Sequence, residues 1–133
     1  MPVRSLLTVL AILVATLLAA FFGFVGYHKS FAPLAELARH RVWTLALPEW
    51  AGRLVGASEL LLAGALLAML LPRFRAWAAL AAALLIVNQL AAAGVHWSRG
   101  EADALPQNVV LIVLLALVGL AARTQQEPSG ETI

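Results

Sequence analysis

The sequence predicts an all-α membrane protein, an antiparallel bundle of four transmembrane helices with a short interfacial helix between the first and the second. Three observations carry that prediction. Hydrophobic residues make up 62% of the 133, against about 45–50% in a soluble domain, and mean hydropathy is +0.91. Four apolar runs, at 6–27, 50–71, 74–97 and 105–122, each come close to the roughly 20 residues that cross a bilayer core. None alternates with the period of two that marks a barrel strand.

Each element has its own reason. The first run is too long for the apolar core of a signal peptide, and no small-x-small cleavage site follows it, so it reads as a retained span. The mixed connection after it contains a short helical pattern at 33–42. Leu34, Leu37 and Ala38 fall on one side and Glu36, Arg39 and His40 on the other, as in an interfacial helix or a cap over the bundle. Pro48 suits the first turn of the second span. Only Pro72-Arg73 separates the second and third runs, which makes them antiparallel neighbours. A short polar loop with Arg99, Gly100, Glu101 and Asp103 leads to the fourth. Residues 1–123 thus form a single domain, followed by a polar tail, 124–133, expected to be disordered. Trp43, Trp50 and Trp77 are expected as interfacial anchors, and Arg53 as a snorkelling side chain.

Composition narrows the functions. The net charge of +2 is spread along the chain, which argues against a nucleic-acid surface and leaves the lipid bilayer as the first partner. There is no cysteine, so disulfide exchange by this chain, thiolate metal sites, cysteine-ligated iron–sulfur clusters and covalent haem are excluded. No metal site is expected. With four spans, both termini share a side with Arg4, Arg73, Arg75 and Arg123. The other side carries Lys29, Arg39, Arg41 and Arg99, diluted by acids. The compact basic turn places both termini in the cytoplasm of a bacterial-type plasma membrane.

Glu59 stands inside the second apolar run. A carboxylate at that depth costs on the order of 3 kcal/mol on insertion scales. The leucines of the run return about 4 kcal/mol. A side chain that costs most of its segment's insertion energy points to function or assembly. At about 100° per residue, Gly52, Gly56, Glu59 and Ala63 share one stripe, and small residues there admit a neighbouring helix. Gly23 and Gly119 are expected to serve packing in the same way on the first and fourth helices. Antiparallel pairing of the second and third helices sets Asn88 level with Glu59. With its nearest expected partner, Asn88, uncharged, a neutral carboxyl is expected, since desolvation disfavours the charged form. Tyr27, His96 and Asn108 point into the same half of the bundle, with Lys29 at the end of the first helix. The expected site is a one-sided polar pocket. Glu59 and His96 are its candidate proton-relay residues; Tyr27, Lys29, Asn88 and Asn108 are its candidate ligand-binding residues.

Four motifs occur in order. They are Gly26-Tyr27-His28-Lys29 closing the first helix, Pro48 before the second, Gly56-Ala57-Ser58-Glu59-Leu60 within it, and His96 near the end of the third. In this order and spacing, over nearly the whole chain, the sequence resembles the DoxX-like family of small four-helix membrane proteins. The resemblance implies a four-helix bundle and a link to membrane redox chemistry. The founding members resemble subunits of a thiosulfate:quinone oxidoreductase, others belong to complexes handling oxidative or thiol stress, and distant relatives look like assembly factors.

Three functions follow as expectations. The first is a membrane subunit of, or accessory to, a quinone-linked redox complex. There Glu59 and His96 would relay protons, Asn88 and Asn108 would orient the quinone carbonyls, and a partner protein would carry the redox centre. The second is a non-catalytic protein that binds a lipid or small molecule or assists membrane-protein assembly. The third is a small proton-coupled carrier, which at this size would need a homo-oligomer.

Overall fold

A computed structural model describes residues 3–125. The described residues form five α-helices: α1 (Val3–Phe31), α2 (Leu34–Arg39), α3 (Glu49–Leu66), α4 (Arg75–Ser98) and α5 (Leu105–Thr124). Short 3-10 turns lie in the connections after α2, α3 and α4, and no strand occurs among these residues. The four long helices are long and apolar enough to cross a membrane, so the chain is an integral membrane four-helix bundle. The tail expected to be disordered lies, from residue 126 on, outside the described residues.

The helices neighbour one another in the ring order α1, α3, α4, α5 and back to α1. The closest pairings are α1 with α3 and α4 with α5; α3 and α4, joined by the short connection, are antiparallel neighbours as expected. Leu13, Leu17, Leu61, Val87 and Leu120 are exposed on the outer faces, where lipid would cover them. Inside, Ala15, Phe22, Leu66, Met69, Leu85, Leu115 and Val118 close the core. Water gives such helices no hydrophobic drive to associate within lipid, so contact distance and internal hydrogen bonds hold them.

One boundary matters for function. The first span was expected to stop at Tyr27, but α1 runs one turn further, to Phe31. His28 and Lys29 therefore stand on the helix and not in a loop. The extra turn is supported locally: Ser30 Oγ donates to Gly26 O at 2.8 Å, and Arg53 Nη1 donates to Lys29 O at 2.9 Å, satisfying a carbonyl that the helix end leaves free. Helix ends only before Pro33, whose ring disfavours helical backbone at the residue before it. The connector helix is shorter than the expected 33–42, since Arg41 takes a left-handed φ of 52° and turns the chain.

At the opposite end, α3 tightens into a 3-10 turn, Leu67–Leu70. Buried Arg75 donates from Nε to Met69 O at 3.0 Å and closes that helix end. The same end fastens the start of α1 to the end of α5. Arg4 Nη2 reaches Thr124 O at 3.2 Å, and Gln125 Nε2 reaches Thr8 Oγ1 at 2.7 Å.

Candidate functional site

Where α1 crosses α3, two glycines face each other. A Cβ added at Gly26 would lie 2.8 Å from Gly56 O and 3.1 Å from Glu59 Cβ; one added at Gly56 would lie 2.7 Å from Lys29 Cβ. Each glycine thus makes room for the charged residue of the other helix. The result is a buried ion pair, with Lys29 Nζ 2.6 Å from Glu59 Oε1. Only 5% of Lys29 and 1% of Glu59 is exposed. Asn88 Nδ2 donates to the same carboxylate oxygen at 2.7 Å, so the expected depth match between α3 and α4 takes the form of a hydrogen bond. Glu59 Oε2 is buried without a partner.

This arrangement corrects one premise. The neutral carboxyl is the expectation when the nearest partner is the uncharged Asn88; an amine-bearing side chain, Lys29, stands at 2.6 Å as well. The sequence did hold the signal, in a Gly-x-x-Lys on one helix and a Gly-x-x-Glu on the next. A lysine three residues after a glycine shares its helix face, so close crossing at both glycines brings both charges to the seam.

Lys29 also lies beneath the Trp43 indole, with Nζ 5.5 Å from the ring centroid, a contact worth about 0.5–2 kcal/mol when desolvated. Trp43, expected as an interfacial anchor, is instead 8% exposed, because the 3-10 turn Trp43–Ala46 folds inward. Trp50 and Trp77 are exposed, as anchors should be. A Cβ added at Gly52 would meet the carbonyl of Thr44 in that turn, not a transmembrane neighbour; one added at Gly23 or Gly119 would reach Ala63 or Ala82 at ordinary contact distance.

Beyond Lys29 opens a cavity of about 530 Å³, within the range of small-molecule sites. Its polar wall includes Lys29, Gln89, His96 and Asn108, and its apolar wall includes Phe21, Val25, Ala92 and Leu111. Gln89 carries a role that sequence reasoning missed. Successive residues on a helix point about 100° apart, so Asn88 turns to Glu59 while Gln89 turns to α5 and accepts from Asn108 Nδ2 at 2.9 Å. Asn108 Oδ1 and Trp43 Nε1 are buried without hydrogen-bond partners, which makes them points of unmet bonding capacity beside the cavity.

The remaining candidates divide. Tyr27 is 55% exposed and stacks on Phe31. It does not line the cavity, because it lies about 200° around the helix from Lys29. Glu59 and Asn88 sit behind Lys29 and are not part of the cavity wall. His96 lines the cavity, yet its Nδ1 bonds Glu101 Oε1 at 2.9 Å, and among the described residues no hydrogen bond joins it to Glu59. All three histidines of the chain, His28, His40 and His96, line this one cavity. No group of His, Cys, Asp and Glu with metal-holding geometry occurs among the described residues.

The connector between α1 and α3 covers one side of the cavity. Arg41 binds Asp103 through both guanidinium nitrogens, at 2.7 and 3.3 Å, and Arg99 Nη1 donates to Val42 O at 3.3 Å. The hydrogen bond to Asp103 holds the Arg41 guanidinium above its ordinary value. This exposed pair adds little stability, but it ties the connector to the loop before α5.

The chain has no significant match among curated proteins or solved structures. Residues 13–118 match the profile of the DoxX-like family. That stretch includes the Gly26–Lys29 and Gly56–Glu59 segments of the ion-paired seam, the inward Trp43, and His96 and Asn108 of the cavity. With four apolar spans and most of its length matched, the chain belongs to the DoxX-like family of integral membrane proteins.

Proposed function

We propose that the protein binds a quinone in the cavity next to Lys29 and serves as an accessory membrane subunit of a quinone-linked redox complex. One observation carries this reading: a cavity with apolar walls ends on buried hydrogen-bonding groups, Lys29, Gln89 and Asn108, and on its wall the buried donor Trp43 Nε1 and the acceptor Asn108 Oδ1 have no partner. A quinone head is an apolar ring with two carbonyl acceptors. The ammonium of Lys29 has three donors and gives one to Glu59, and the Asn108 amide can turn between its Gln89 partner and a ligand. The residues present therefore fit the group. The quinone would supply the electron-accepting chemistry. In this reading Glu59 is a positioning residue that, with Asn88, holds Lys29 against the cavity, and His96 is the group able to exchange a proton with the ligand. The redox centre belongs to a partner protein, and the termini face the cytoplasm.

The test is purification in mild detergent, followed by solvent extraction and mass spectrometry of quinones and co-purifying proteins. Bound quinone is expected with the unaltered chain, and its loss with Asn108→Leu. A chain that purifies alone and without quinone would overturn the proposal. It would support instead the non-catalytic binding or assembly role, which the separation of Glu59 from His96 favours.

A further inference from the structure

We infer that the cavity exchanges its ligand with the lipid phase, through a slot between α1 and α5, and that its ligand is a membrane-partitioned amphiphile whose tail leaves past Phe24. The inference rests on reading the cavity as a ligand site, and it adds the route and the class of ligand.

The first observation is where the cavity meets the surface. Phe24 lines it and is 66% exposed; Gln107, across the gap on α5, also lines it and is exposed. Phe24 lies seven residues inside the end of α1, roughly 10 Å along the helix axis. An opening there borders the lipid-facing surface of α1, and on α5 it reaches Gln107, two residues from that helix's start. The second observation is how the helices are fastened. α1 and α5 are bonded to each other at the far end, through Arg4 with Thr124 and Thr8 with Gln125. At the cavity end, no hydrogen bond links them among the described residues. The third is the opposite face. Between cavity and water stand the Arg41–Asp103 pair and the Arg99 contact to Val42, which lash the connector to the α4–α5 loop. The fourth is chemistry. The slot is bordered by Phe21, Phe24 and Leu111, which suit a hydrocarbon tail; the buried hydrogen-bonding groups of the wall are Lys29, Gln89 and Asn108, and the exposed ones, such as His40, Arg41 and Asp103, lie toward the connector.

Trp43 on the cavity wall supplies a probe. With Trp50, Trp77 and Trp97 changed to phenylalanine, Trp43 is the one remaining tryptophan. The protein is placed in phosphatidylcholine vesicles brominated midway along the acyl chains. Access from the lipid predicts loss of most Trp43 emission to the brominated chains and little loss to aqueous acrylamide. Phe24→Ala, on the lipid-facing surface, widens the slot and increases quenching by brominated lipid. Ala92→Phe fills the cavity and decreases it. Arg41→Ala unties the water side and raises acrylamide quenching alone. Acrylamide quenching without lipid quenching in the unaltered background overturns the inference. So does lipid quenching that neither Phe24→Ala nor Ala92→Phe moves, since that signal would come through the wall. The probe is a phospholipid, so a closed slot and an absence of bound quinone register as separate results.

Discussion

At the scale of single residues, the ion pair between Lys29 and Glu59 explains why a costly carboxylate persists in an apolar span. Neither charge could remain buried alone. Together they share one short contact, the carboxylate takes a further bond from Asn88, and the ammonium rests on the Trp43 ring. Such a pair is poor evidence of net stability, but breaking it from one side is expensive. Lys29→Met leaves Glu59 with a single neutral donor, and a loss of about 3–5 kcal/mol is expected, read as a lower midpoint on denaturant titration in detergent. Adding Glu59→Gln removes the orphaned charge while an amide oxygen stays in place for Asn88, so the double variant should recover most of that loss. A double variant as unstable as Lys29→Met alone would show that the two residues do not act as a pair.

At the scale of helices, the glycines decide how near the charges can come. An added Cβ at Gly26 or Gly56 meets backbone atoms of the opposing helix, which cannot rotate away. Gly26→Ala and Gly56→Ala should each cost about 1–3 kcal/mol, as overpacking does. Gly64→Ala, with nothing within 4 Å of the new Cβ, should be neutral or stabilising by up to about 1 kcal/mol. Thermal unfolding of the three variants in detergent orders them; equal melting temperatures would contradict the close crossing. Here the limits of sequence reading are physical. The four spans are legible because hydropathy accumulates over whole segments, and the depth match of Glu59 with Asn88 follows from counting along antiparallel helices. The end of α1 is not legible in that way. A lysine beside a histidine looks like the start of a loop until a buried counter-charge on another helix is known. Trp43 looks like an interfacial anchor until the turn that carries it folds inward. Gln89 is not legible because depth matching singles out its neighbour Asn88, whereas the angle between them sends each to a different helix. Tyr27 shares a motif with Lys29 but not a helix face.

At the scale of the whole molecule, the two ends of the bundle differ in how their cations are held. At the cavity end, Lys29 is withdrawn into the interior and Arg41, Arg53 and Arg99 stand beside carboxylates. At the other end, Arg4 and Arg75 bind neutral oxygens, and Arg73 lies on a connection of a few residues that carries no acid. Moving a short, purely basic turn across a membrane is disfavoured, and basic residues close to span ends set orientation. The turn between α3 and α4 should therefore stay in the cytoplasm together with both termini, leaving the cavity in the outer half of the bilayer. Because the chain has no cysteine, Arg73→Cys and Arg39→Cys give single labelling sites on opposite ends. In intact cells a membrane-impermeant maleimide should label position 39 at once and position 73 only after permeabilisation. The reverse pattern would turn the molecule over. A redox partner working with the cavity would then have to meet it from the cytoplasmic side, so the labelling result also fixes the compartment in which that partner is to be sought.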